Sequence, residues 1–383
     1  YNRAALSWYT IDPAFYSGSG LSDGQVSDDV RQDHRMRQIL EQEIFPNRDY
    51  QPGTPRNIPT FDLSYWPSER GPYNYDLPEG EPGYSAGFDE NGGLEDPSSR
   101  WGGIQRALTT TDFESANIEY IQFWIMDPFN EDSENTTGGD IYFNLGNVSE
   151  DILNDSQLEF ENGLPSATTT DLPTDTSSWA IYPDPSTFNV VNAFDNSSGN
   201  YSLQDVGLDG MSSAVERDHF SDWLTDLEAS NVLTPEAFST IENDPSSDDF
   251  RYFRNPTSQA LEENIIDRYK YFSRYEGNSN TGSPDGYPIT STTIPNSEDI
   301  NQDITLGTIE SYYQYKISMR PSDLGEENVG NNYITDVYET LSQSASSNEQ
   351  KPIKWYQFKI PVREYEKRIG TISDFRSIRF MRV

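Results

Sequence analysis

The chain has no cysteine among its 383 residues. A disulfide scaffold, a thiol nucleophile and a cysteine-ligated metal are therefore all excluded. Histidine is nearly as scarce, with His34 and His219 the only two. Lys and Arg together number 26 against 64 Asp and Glu, giving a formal net charge of −38. So few cations rule against the basic surface that nucleic-acid phosphates require, and no nucleic-acid partner is expected. The same shortage disfavours attachment to anionic lipid. No run of about 18 apolar residues is present to form a membrane helix. Evenly alternating segments of about ten residues, the mark of barrel staves, are missing too. The start at Tyr1 carries no basic and apolar leader pattern, and the chain reads as a soluble piece of something larger.

What the chain has in place of aliphatics is rings. Hydrophobic residues make up 33% of it, yet aromatics alone reach 13%, with 24 Tyr and 19 Phe. Each ring buries a large area, so a core can form despite the charge that would otherwise favour disorder. An acidic surface rich in Asn, Ser, Thr and Tyr fits an extracytoplasmic protein. The absence of cysteine then points to a bacterial surface rather than an animal secreted domain.

The pattern predicts a mainly β fold: a jelly-roll-like β-sandwich with a helical insertion and long irregular segments. Residues 1–100 read as an irregular, aromatic and Pro/Gly-rich segment with one helix, "DDVRQDHRMRQILEQEIF", ended by Pro46. Residues 101–164 supply the first part of the sandwich. In them "NIEYIQFWIMD" is apolar on both faces and reads as a central strand, and "VSEDILND" reads as a short helix capped by Ser149. Residues 165–300 are a polar, partly helical insertion, with helices in "SSAVERDHFSDWLTDLEAS", "TPEAFSTIEN" and "SQALEENIIDRYKYFSRYEG". Residues 301–383 complete the sandwich through "GTIESYYQYKISM", "NYITDVYETL", "IKWYQFKIPV" and "TISDFRSIRFMR".

"DINQDITLGTIE", residues 299–310, has the spacing of a twelve-residue calcium loop. Asp299, Asn301 and Asp303 fall at its first, third and fifth positions, Thr305 can offer a carbonyl, and Glu310 is placed to bind bidentately. Ca2+ is the cofactor this would take. Ile304 stands where such a loop wants glycine, and the flanks are not helices; a polar turn on an acidic surface is the plainer reading. "QDVGLDGMS" reads as a tight turn before a helix, with Asp205 and Asp209 around its glycines. Neither histidine has a nucleophile-elbow pattern near it, and both read as surface residues, so no enzyme activity is expected. With 64 acids, carboxylate pairs arise by chance and carry no signal for glycoside hydrolysis.

"FDLSYWPSERGPYNYD" concentrates five rings on backbone broken by Pro67, Gly71 and Pro72. Phe61, Tyr65, Trp66, Tyr73 and Tyr75 are candidate docking residues for a partner, with Arg70 pairing to a carboxylate. Closing the core of this domain is the equally weighted alternative.

Several stretches together resemble one family. They are "LSWYTIDPAFY", "TFDLSYWPSERGPYNYD", "RWGGIQRALTTTDFESANIEYIQFWIMDPF", "GGDIYFNLGNVSEDILND", "QDVGLDGMS", "SEDINQDITLGTIESYYQYKIS" and "FRSIRFMR". The resemblance is to the giant outer-membrane translocon of the Bacteroidetes type IX secretion system, SprA or Sov, and it runs from Ala4 to Arg382. It implies a soluble segment of a protein-export barrel serving gliding motility or secretion. The implied partners are the remainder of the parent barrel, a PorV-type shuttle protein, a plug protein and secreted cargo proteins. An extracellular, cap-like placement in the outer membrane is expected, with the periplasmic side as runner-up. The alternative function is a carbohydrate-binding or carbohydrate-cleaving surface module with calcium.

Overall fold

The computed structural model describes residues 1–15, 34–36, 39–49, 51, 53, 57–130, 137–167, 170–184, 191–195, 199–255, 263–280, 289–343 and 350–383. Its strands are β1 Ala4–Tyr9, β2 Ile39–Leu40, β3 Asn57–Ile58, β4 Asp62–Arg70, β5 Gln105–Ala107, β6 Tyr120–Met126, β7 Gly139–Asn147, β8 Thr174–Thr176, β9 Ile181–Pro183, β10 Ser311–Met319, β11 Ile334–Gln343, β12 Gln350–Pro361, β13 Lys367–Arg368 and β14 Phe380–Arg382. The fold is mainly β, as the sequence predicts. No helix among the described residues is long and apolar enough to cross a membrane.

Two antiparallel sheets share one core. One has five strands in the order β13-β10-β7-β14-β5, the other three in the order β11-β12-β6. The text of β10, "SYYQYKISM", shows why. Ser311, Tyr313, Tyr315, Ile317 and Met319 point inward while the residues between them are half-exposed, the period of two that a half-buried strand demands. They meet Phe143 and Leu145 of β7 and, from the other sheet, Tyr356, Phe358 and Ile360 of β12. Phe123 of β6 stacks on Phe358 with ring centroids 5.4 Å apart. Strands on both sides of residues 165–300 pair directly: β7 with β10, β6 with β12, and β5 with β14.

The strand β6 is not central; it lies at the edge of its sheet. Its second apolar face has a different cause. Trp124 and Met126, with Ile353 and Trp355 of β12, pack against Ile39 and Ile44 from the N-terminal region. The Trp355 indole N–H donates to Glu43 at 2.8 Å. That covering segment also departs from the predicted long helix. Ile39 and Leu40 pair as strand β2 with β3, and among the described residues of that stretch Glu41–Ile44 is α-helical and His34–Met36 forms a 3-10 turn; residues 28–33, 37 and 38 of that prediction, Val30 among them, lie outside the described residues.

The remaining residues build a second packing region from the N-terminal hundred and the helical stretch. Its helices are Tyr201–Gln204, Ser213–His219, Ser221–Ser230, Pro235–Asn243 and Ile265–Tyr269. Thr234 caps the helix that starts at Pro235, accepting the Ala237 N–H at 3.2 Å. "VSEDILND" is not a helix. Asp151 takes the N–H groups of Asp155 and Ser156 at 3.1 and 3.0 Å, a local side-chain bond that competes with helical pairing.

Candidate functional site

A carboxylate from elsewhere in the protein binds the backbone of the predicted calcium loop. Glu150 accepts N–H groups from Ile300, Asn301 and Gly307 at 3.0, 3.2 and 3.2 Å. Burial raises its pKa, and those N–H bonds oppose the rise. Asp299 accepts from the Asp303 and Ile304 N–H groups at 2.9 and 2.7 Å. Asn301 also accepts from Asp303, and Asp303 accepts from Thr305, at 2.9 and 3.0 Å. Glu310 turns elsewhere, into a two-armed pair with Arg382 at 3.0 and 3.2 Å. Asp299, Asp303 and Glu310 are not among the described acidic groups that converge on one point. Ile304 itself takes φ +64°, the left-handed turn for which glycine was expected there.

The aromatic stretch splits into an outer and an inner half. Against expectation, its first half is a strand. β4 pairs with β1 from Asp62 to Trp66, then shifts register so that Arg70 meets Ala4; Pro67 falls in that interruption, where no ladder N–H is needed. Gly71 follows because a Cβ there would stand 2.3 Å from the Ala4 carbonyl oxygen. Register places Trp8 opposite Leu63 and Leu6 opposite Tyr65, so Trp8, Phe61, Leu63 and Tyr65 share one face, and all four are exposed. Trp66 lies on the other face, with the Lys270 ammonium 5.7 Å from its ring.

Among the described residues, Arg70 meets no carboxylate directly. It donates to the Asn74 and Pro245 carbonyls at 3.2 and 2.6 Å and lies over the Trp223 ring at 5.4 Å. Burial lowers its pKa to about 10. Tyr73 and Tyr75 turn inward. Their rings join Leu153, Leu208, Met211 and Phe220 in one apolar cluster, while their hydroxyls reach a set of buried acids.

That set is the most unusual feature of the interior. The Tyr73 hydroxyl donates to Asp248 Oδ2 at 2.7 Å and accepts the Leu208 N–H at 2.9 Å. The Tyr75 hydroxyl is 3.0 Å from Ser246 Oγ, which donates to Asp209 Oδ2 at 2.5 Å. Glu216 Oε2 accepts the Ser246 N–H at 2.9 Å. Asp209, Glu216 and Asp248 have no exposed surface. Gly207, at φ +84°, makes room, since a Cβ there would stand 2.2 Å from Asp248 Oδ2. Burial, then mutual repulsion, pushes the Asp209 and Asp248 carboxyls well up, and Glu216 up to about 7. Glu276, bonded to Ser213, is pushed up to about 8, chiefly by burial. Glu161 is also raised to about 8 by burial, although it accepts N–H groups from Gly207 and Asn296 at 2.9 and 2.6 Å.

Sequence reasoning missed this group because acids are everywhere in the chain. The only local trace is Asp244-Pro-Ser-Ser-Asp248, two carboxylates around a serine turn. "QDVGLDGMS" does form the expected turn before a helix, but Asp205 and Asp209 are buried in it. Of the histidines, His219 bonds the Ser178 carbonyl at 3.2 Å, and His34 is buried rather than on the surface.

Residues 222–383 match the SprA_N family model, described as motility related/secretion protein. No curated protein matches the chain.

Proposed function

The chain belongs to the SprA family of motility and secretion proteins through residues 222–383, and on that premise we propose that it forms a cap-like domain on the outer face of an outer-membrane, type IX protein-export channel. The family match carries this reading. It takes in the helices Pro235–Asn243 and Ile265–Tyr269 and all of β10 to β14. Two physical features fit. A net charge of −38 keeps a crowded outer surface soluble and repels acidic cargo that is not specifically admitted. The exposed face of Trp8, Phe61, Leu63 and Tyr65 offers an apolar docking strip, which this reading assigns to the rim of the parent barrel. A PorV-type shuttle, a plug protein and passing cargo are the further partners proposed. No catalytic step is assigned to the segment.

The cysteine-free sequence makes the placement testable. Tyr84, in a turn and 68% exposed, is suited to a Tyr84→Cys probe in the parent protein. A membrane-impermeant maleimide should label that thiol on intact cells, above the labelling of unsubstituted parent. Labelling only after the outer membrane is permeabilised would place the segment in the periplasm instead.

A further inference from the structure

One oxygen each of two buried acids has no partner at all. Glu216 Oε1 and Asp248 Oδ1 are sealed from solvent and make no hydrogen bond. Their second oxygens are already committed, to the Ser246 N–H and to the Tyr73 hydroxyl. Asp244 approaches from the same turn; its Oδ1 accepts the Asp248 N–H at 3.0 Å. One carboxylate oxygen from each of Glu216, Asp244 and Asp248 lies within 4.8 Å of the other two. Leaving carboxyl oxygens dry and unpaired is costly, and a cation held between them would relieve that cost.

The nearby cations do not supply it by contact. The guanidinium of Arg70 gives its N–H groups to the Asn74 and Pro245 carbonyls. Arg274 gives its own to Ser247 Oγ and the Arg70 carbonyl, at 2.9 and 3.1 Å. Asp209 adds further negative charge beside Asp248, and Asp249 and Glu276 add it beside Glu216. The donors are all oxygen, with no histidine or cysteine, which selects a hard cation over zinc. Oxygens that share one calcium ion lie no more than about 4.8 Å apart, twice a bond of about 2.4 Å, and the three here satisfy that bound. Magnesium sheds its waters reluctantly, whereas a site whose ligands are this dry suits calcium.

We propose that Glu216, Asp244 and Asp248 hold a calcium ion that clamps the helix Ser213–His219 to the turn at 244–249. Such an ion would be a staple in a chain that has no cysteine for one. It would also be distinct from the loop 299–310, whose backbone N–H groups bind Glu150.

The test uses the 383-residue chain, stripped with chelator and then melted with and without about 1 mM calcium chloride. Calcium should raise the melting temperature by about 5 °C, and magnesium chloride at the same concentration by much less. Glu216→Gln combined with Asp248→Asn should abolish the calcium response, yet melt in chelator no lower than the parent, because like charges are removed. Asp299→Asn combined with Glu310→Gln should keep the response. As a check that needs no variant, terbium should bind the stripped parent chain, luminesce on tyrosine excitation through Tyr73, and be displaced by calcium. No shift with calcium, an equal shift with magnesium, a response that survives the Glu216/Asp248 changes but not the Asp299/Glu310 changes, or silent terbium would each overturn the assignment.

Discussion

The sandwich and the helical region are built from one composition, yet they have opposite interiors. The sandwich buries rings and aliphatics and keeps its charges outside, where Asp140 pairs with Lys316 at 3.1 Å and also with Arg320. The helical region buries the acids themselves, with Asp209, Glu216, Asp248, Glu161 and Glu298 all fully covered or nearly so. An acidic chain can therefore solve its charge problem in two ways. It can export the carboxylates to a surface where cations and water attenuate them. Or it can bury them against backbone N–H groups, tyrosine hydroxyls and a counter-charge, at the cost of making stability depend on solution conditions.

The sharpest way to separate the two interiors is by substitution. Phe358 is fully buried and stacked on Phe123. Phe358→Ala should cost about 4 kcal/mol in urea unfolding, because a cavity is left, and the loss should be the same with or without calcium. In the other region, the side chains of Arg100 and Asp76 are both fully buried and meet at 3.0 Å. Asp76→Ala should cost about 3 kcal/mol, since Arg100 is left as an uncompensated charge.

The pH windows should also be opposite. Glu161 has a folded pKa of about 8 against an ordinary value of 4.5. A carboxyl raised in this way contributes most below its unfolded pKa, and that contribution is lost as pH rises through about 8. Asp205, pushed up to about 6 by burial, acts in the same direction. Asp140 is held below the usual carboxylate range by its bond to Arg320. Its contribution is present above the unfolded pKa and is lost as pH falls through the folded one. Urea unfolding in chelator should therefore show stability falling between about pH 5 and about pH 8. A flat profile there would contradict the polar-interior account. The smallest effect belongs to the exposed pair Arg376–Glu114, at 2.9 Å with Arg376 69% exposed. Arg376→Ala should cost less than about 1 kcal/mol.

How much of this was legible follows the same division. The sandwich could be read because alternation is a local signal: β10 announces its inward face in its own nine residues. Edge and centre could not be read, because the second face of β6 is covered by Ile39 and Ile44, some eighty residues away in sequence. β4 was hidden by Pro67, which is tolerated only because the ladder with β1 breaks there. Part of the loop 299–310 was out of view for a related reason. Its spacing suits a cation, and the carboxylate that accepts its backbone N–H groups, Glu150, is contributed by a distant part of the chain. The buried acids left only the trace of two carboxylates around the serine turn 244–248, since burial is decided by the neighbours and not by the carboxylate.

Hydrogen exchange, resolved along the chain and corrected for intrinsic rate, compares the two interiors in one measurement. In chelator, protection in Ser213–His219 and in the turn 205–211 should fall on going from about pH 5 to about pH 8, while β10 and β12 keep theirs. Equal loss in both regions, or no loss in either, would contradict the account.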